Sequence, residues 1–202
     1  MPSRPGLYLY AVAALWIVTL TGAFYGLQAY ASLQGGAGAI SREGFRFIHL
    51  HHRPGTPLLI MAVHPKCPCT RASLAEMADL LARARGNCDA VLVELIPTHL
   101  DPSTWPTPAT MRLMGGRDVP VVSDPEGKIA ASLGAVTSGH AIFINAQGDV
   151  TFSGGLTLAR GHRGPTPSQD AILSWIRGDH HAPVENPVFG CSLEMCEAEL
   201  SP

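Results

Sequence analysis

Hydrophobic positions along the chain fall into three patterns, and each predicts a different kind of element. From Leu7 to Leu27 apolar residues run almost unbroken ("LYLYAVAALWIVTLTGAFYGL"), and no charge occurs between Pro5 and Gln34. That is the length and character of a helix spanning a bilayer. Short apolar runs bounded by turn signals come next: "LLIMAV" (58–63), "AVLVELI" (90–96), "VPVVSD" (119–124), "HAIFIN" and "DVTFSGG". Runs of this length predict buried strands, and "AQGD" between the last two predicts a hairpin. "FRFIHLHH" (Phe45–His52) alternates weakly and predicts a first edge strand. The third pattern has helical spacing: Leu74, Met77, Leu81 and Ala84 share one face of a segment from Thr70 to Arg85, with Thr70 as N-cap and Gly86–Asn87 as the stop. Shorter helices are predicted in "ATMRLMGG" and "PEGKIAASLGA", and a last one over Ser168–Gly178. Strand–helix–strand–helix followed by strand–strand–helix implies an α/β fold, with helices on the faces of a mixed sheet.

These patterns divide the chain into an N-terminal membrane anchor (1–30), a flexible Gly-rich linker (31–43), an α/β domain (44–179) and an irregular Cys-containing tail (180–202). Tyr8, Tyr10, Tyr25 and Tyr30 lie near the ends of the apolar run, as interfacial aromatics do, and Arg4 precedes it. The expectation is a single pass through the inner membrane via residues 7–27, with the domain facing the periplasm or cell exterior. The alternative is a cleaved signal peptide, for which "AYA" (Ala29–Ala31) has the small-x-small form. With 14 basic and 16 acidic residues and no basic cluster, nucleic acid is excluded as a partner.

Export bears on the five cysteines, Cys67, Cys69, Cys88, Cys191 and Cys196. An odd number leaves at least one thiol outside any internal pairing. Cys67 and Cys69 sit in "HPKCPCTRASL", between a buried strand and a helix N-terminus, where amides and the helix dipole favour thiolate; Lys66 and Arg71 add positive charge. A Cys-x-Cys disulfide closes a very small ring, so it is expected to be strained and readily reduced. Three readings stand: redox chemistry, metal binding, or inert packing. In the metal reading Cys67, Cys69, His64 and Cys191 form a soft site for Cu(I) or Zn, with His49, His51 and His52 as further ligands, although the spacing is not that of a zinc knuckle. The redox reading needs no cofactor. Cys88, entering a strand, is expected to be a buried hydrophobe. Cys191 and Cys196 either pair with each other or reach Cys67 and Cys69.

From Leu58 to Gly178 the sequence resembles the thioredoxin-like superfamily, most of all membrane-tethered thiol–disulfide proteins of the TlpA and AhpC/TSA type. "HPKCPCT" and "VPVVSDPEGKIAASLGAVTSGHAIFINAQGDVTFSGG" carry the likeness, through Asp124, Pro125, Gly127, Gly134, Phe143, Ile144 and Gly148. "HPxCPCxRASL", "SGG…ARGHRG" and "PVFGC" together look closer still to the RedB group. The resemblance implies a thioredoxin-like mixed sheet flanked by helices, and a thiol–disulfide oxidoreductase acting on exported thiol and disulfide proteins. By the same likeness Cys67 takes the nucleophile's place as the more exposed thiol, with Cys69 or a tail cysteine as its resolving partner. Pro68 and Thr70 complete the motif. Two positions depart from the pattern: Thr70 stands where the family has its second cysteine, and Gly139–His140 stand where it has a cis-proline. That places His140 beside the thiols. Glu94, within a strand, takes the place of a buried proton acceptor. The threonine that peroxiredoxins carry three residues before their cysteine is replaced by His64 or Lys66. A tethered interaction domain with vestigial thiols is the non-enzymatic alternative.

Overall fold

A computed structural model describes residues 4–41, 45, 53–96, 114, 118–179 and 186–193. Residues 1–33 and 34–202 form two compact units. The first is one helix, α1 (Arg4–Ala31). Its stretch Gly6–Ala31 has mean hydropathy 1.8 and is long and apolar enough to cross a membrane; at 1.5 Å per residue it extends roughly 39 Å.

The second unit is built on a five-stranded sheet. Its strands are β1 (Leu58–Val63), β2 (Asp89–Ile96), β3 (Val121–Pro125), β4 (His140–Ile144) and β5 (Val150–Gly155), in the order β3-β2-β1-β4-β5. The β1–β2 and β2–β3 pairs are parallel, while β1–β4 and β4–β5 are antiparallel. This is the mixed sheet that the element order implies. The helices are α2 (Thr70–Ala84), α3 (Lys128–Ser132) and α4 (Pro167–Ile176).

An unbroken apolar run is what the central strand requires, because both of its faces are covered. Leu59, Met61 and Val63 of β1 pack with Leu74, Met77 and Leu80 of α2, Phe143 of β4 and Ile172 of α4. Leu58, Ile60 and Ala62 pack on the other face with Val91, Val93, Ala130, Leu133 and Ile142. Phe143 and Trp175 stack at 5.9 Å between ring centroids. Asp124, fully buried, starts α3: its two carboxylate oxygens accept from the amides of Ile129 and Ala130, each at 2.8 Å. Buried Glu76 of α2 accepts from the amide of Gly164, the side-chain amide of Gln169 and Arg163 Nε, which fastens the loop after β5 onto α2.

Three expectations need correction. Thr70 is not the N-cap of α2; Cys69 holds that position without a side-chain cap bond. The Thr70 hydroxyl instead donates to the carbonyl of His64 at 3.0 Å and bonds Ser138 Oγ at 2.7 Å. The linker is not free along its whole length. Gly35 N donates to Val188 O, Gly38 N to Gly134 O and Ser41 N to Ser132 O, while Gly36 O accepts from Thr137 Oγ1. A small residue is needed at Gly35, where a Cβ would fall on the side chain of Thr137. Finally, part of the tail is ordered against the sheet, as described below. The strand expected at Phe45–His52 and the helix expected in "ATMRLMGG" lie outside the described residues, apart from Phe45 and Met114.

Candidate active site

The segment between β1 and α2 is a tight turn. Cys67 N donates to His64 O at 3.0 Å, Thr70 N to Cys67 O at 3.2 Å and Ala72 N to Cys69 O at 3.1 Å. His64 N donates to Ser138 Oγ at 2.8 Å, and Lys66 N to His64 Nδ1 at 3.2 Å. Ser138 therefore ties the loop before β4 to the cysteine turn, through both His64 and Thr70. Pro68 and Lys66 are exposed at the turn, whereas Cys67, Cys69 and Thr70 are buried.

The tail completes the site. Asn186–Leu193 runs along the edge formed by β5 and the loop before β4. Gly155 N donates to Asn186 O at 3.1 Å, and Asn186 Nδ2 to Gly155 O and Thr157 O. Farther on, Ser138 N donates to Cys191 O at 2.9 Å, Leu193 N donates to Val136 O at 2.8 Å, and Thr137 bridges antiparallel to Ser192. Three glycines allow this close passage. A Cβ on Gly154 would meet the carbonyl of Asn186, one on Gly155 that of Pro187, and one on Gly190 that of Ser138.

The tail lays Cys191 Sγ 2.7 Å from Cys67 Sγ. Both are free thiols, separated by little more than the ~2.05 Å of a disulfide bond. Cys67 thus meets two thiols: that of Cys191 from the tail, and that of Cys69, which stands two residues along in the same turn and heads α2. Because the tail covers it, Cys67 is only 3 % exposed and is not the more open thiol of the turn; Cys69 is 7 % exposed. Cys191 is half-buried.

The three thiols are electrostatically unlike. Burial raises the Cys67 pKa, but hydrogen bonds from the thiol and amide of Cys191 and from Thr70 outweigh burial and hold it below the ordinary thiol value. Burial and the adjacent Cys67 push Cys69 up, against the opposing pull of Arg160. Cys191 is pushed up to about 12, by burial first and then by its bond to Cys67; Arg160 again acts in the other direction. A thiol held low beside one pushed up suits disulfide exchange, in which the thiolate is the reactive form. Cys88 is a core residue, pushed up to about 12 by burial and by Asp89, with its thiol bonded to Asp89 O.

His140 is fully buried, and its Nε2 bonds Ser153 Oγ of β5 at 2.8 Å. It shares the sheet face of Ile142, opposite the face that packs on α2. Its hydrogen-bond partner is therefore a strand hydroxyl rather than a cysteine. Burial lowers its pKa to about 4, so it folds neutral. Stability from this neutral state is complete above the unfolded value near 6.5 and is lost as pH falls through about 4. The loss amounts to roughly 3 kcal/mol. Denaturant titrations at pH 7, 5.5 and 4 are expected to show His140→Phe with a shallower acid decline than wild type; parallel curves would contradict this. Glu94 is fully buried in β2, in register with Val63 and Ser123. Among the described residues no group of three or more His, Cys, Asp or Glu side chains is arranged to hold a metal ion. His64 turns its Nδ1 to the Lys66 amide. His49, His51, His52 and Cys196 lie outside the described residues.

Ser138, Arg160 and Gly190 join the site without having been singled out in the sequence. Arg160 lies in "ARGHRG", where His162, exposed, bonds the Arg160 carbonyl at 2.8 Å.

No family model and no curated protein matches the chain. Solved structures do. A hypothetical protein of Sinorhizobium meliloti 1021 superposes with TM-score 0.54 at 16% identity, covering 80% of this chain and 94% of that one. An uncharacterized conserved protein of Geobacillus kaustophilus gives 0.59 at 16% identity, over 85% and 94%. A secreted Mycobacterium tuberculosis disulfide oxidoreductase homologous to Escherichia coli DsbE gives 0.41 at 17% identity, over 61% and 82%. Identities this low speak to fold alone. Two parallel crossovers, an antiparallel hairpin on the other side of the central strand and a cysteine turn opening the first sheet-packed helix make the chain a member of the thioredoxin-like fold.

Proposed function

We propose that the protein is a thiol–disulfide oxidoreductase whose redox couple is Cys67 and Cys191. The observation that carries this reading is the contact between their sulfurs at 2.7 Å, with Cys67 at the entrance to α2 and held below the ordinary thiol pKa. A disulfide between them would tie the tail to the helix, across a loop of over a hundred residues that folding has already closed, so no small-ring strain arises as it would for Cys67–Cys69. Cys69 is the third thiol of the cluster, raised by burial and then by the charge of its neighbour. The apolar α1 supports single-pass tethering of the domain in the inner membrane. It then faces the oxidising periplasm or cell exterior, where its partners are exported proteins with thiols or disulfides. The narrower likeness to RedB proteins belongs to this reading and adds no activity to it. The donor geometry around His64, Cys67, Cys69 and Cys191 gives the copper or zinc alternative no comparable support.

The test is a single-turnover reaction of the oxidised full chain, in detergent, with an equimolar reduced dithiol peptide. The expected result is one peptide disulfide per protein chain and two newly titratable protein thiols. A peptide that remains reduced while the protein disulfide persists would contradict the assignment.

A further inference from the structure

Which sulfur of a disulfide an incoming thiolate attacks depends on access and on which thiol is the better leaving group. At this site the two criteria agree. Cys67 is 3 % exposed. It is fixed in a turn bonded to His64 and Thr70, roofed by the tail, and placed at the end of a helix locked into the core. Cys191 is half-buried, on an irregular segment that meets the domain edge through an isolated bridge, Thr137 to Ser192. A client approaching from solvent therefore reaches the tail sulfur first.

We propose that in the oxidised protein Cys191, on the tail, is the client-facing sulfur and that Cys67, on the helix turn, is the leaving thiolate, so that the mixed disulfide forms on the tail. The proposal rests on the reading of Cys67 and Cys191 as the redox couple. A client thiolate attacks Cys191 Sγ. The Cys67–Cys191 bond breaks, its electron pair remains on Cys67, and a client–Cys191 disulfide is formed. A second client thiolate then attacks the client sulfur of that bond, and Cys191 departs and takes a proton. The client dithiol loses two electrons and two protons; the protein disulfide gains both electrons and one proton, on Cys191, and the other proton goes to solvent. The electrostatics run the same way. In the reduced couple the hydrogen bonds of Cys191 and Thr70 hold Cys67 below the ordinary thiol value, whereas Cys191 is pushed up, by burial first. Stabilising one thiolate of the reduced couple also makes its disulfide a stronger oxidant. The client class that fits is a reduced polypeptide with two cysteines able to reach one sulfur in succession.

After Cys67 leaves as thiolate, the tail is still held by its bonds to Gly35, Val136–Ser138, Gly155 and Thr157. The client is then carried on the tail rather than on the helix turn. This inverts the order expected from the sequence, in which Cys67 receives the partner.

The experiment uses the oxidised full chain, mapped beforehand for its disulfide, and reduced glutathione as the attacking thiol. Samples are acid-quenched over a time course and digested, and the adduct is located by mass spectrometry. The expected result is glutathione on Cys191 in roughly tenfold or greater excess over Cys67, with Cys67 free. Cys69→Ser, which blocks migration of the adduct to the neighbouring thiol, gives the same distribution. Equal adducts, or a majority on Cys67, overturn the proposal but leave the redox couple intact. Absence of a Cys67–Cys191 bond in the starting map overturns the couple and the proposal together.

Discussion

Cys67→Ser is expected to lower the rate of single-turnover dithiol oxidation by roughly three orders of magnitude or more, to the background of the uncatalysed reaction. The size of the effect follows from the loss of both functions that the residue serves. Without its sulfur there is no disulfide to donate, and without its thiolate there is no stabilised leaving group beside Thr70 and Cys191. Cys191→Ser is expected to be equally damaging for the first reason. It leaves Cys67 as a thiol beneath a hydroxyl that still donates, whereas Cys191→Ala removes the donor. In the reduced protein, alkylation of Cys67 by iodoacetamide should therefore start at lower pH in wild type than in Cys191→Ala. Cys69→Ser keeps the couple and should retain most of the rate. A Cys69→Ser variant as inactive as Cys67→Ser would return the resolving role to the residue that the spacing of the motif first offered.

Gly190→Ala is expected to disable the site without touching a sulfur. An alanine Cβ there would fall on the carbonyl oxygen of Ser138, a backbone atom held by its neighbours' bonds to His64, Thr70 and Cys191. The tail must lift, breaking the bond from Ser138 N to Cys191 O. Overpacking of this kind costs about 2 kcal/mol, equivalent to a ~30-fold fall in the effective concentration of Cys191 at Cys67. Equilibration with glutathione buffers of graded ratio measures that concentration directly, as the ratio at which half the Cys67–Cys191 bond remains. Thermal denaturation of the reduced protein provides the control, since the sheet and α2 do not depend on this contact. An unchanged midpoint ratio would mean that the tail is not held where its cysteine is needed.

The sheet was legible because its strands carry their instructions locally. β1 is a run of six residues buried on both faces, the hairpin is marked by Asn145 to Asp149, and α2 shows its apolar stripe. The cysteine turn was legible for the same reason: it joins two elements adjacent in sequence. The partner of Cys67 was not, because it lies 124 residues away, on a segment with neither alternating nor helical spacing. What fixes that segment is largely absent side chain. Gly154, Gly155 and Gly190 mark where two backbones pass too closely for a Cβ, but a glycine in sequence does not say what approaches it. Threonine before a helix usually caps it, which is what the position of Thr70 suggests. A tertiary bond to Ser138 claimed its hydroxyl instead. His140 followed the family position of the missing proline toward the thiols, yet strand alternation turned the side chain to the other face and to Ser153.

The most direct test of the account is the disulfide map of the wild-type full chain after equilibration in an oxidising glutathione buffer, with free thiols trapped and peptides assigned by mass spectrometry. The account predicts one reversible bond, Cys67–Cys191, with Cys69 and Cys88 recovered as alkylated thiols. A Cys67–Cys69 bond, or Cys67 and Cys191 both recovered alkylated, would contradict it.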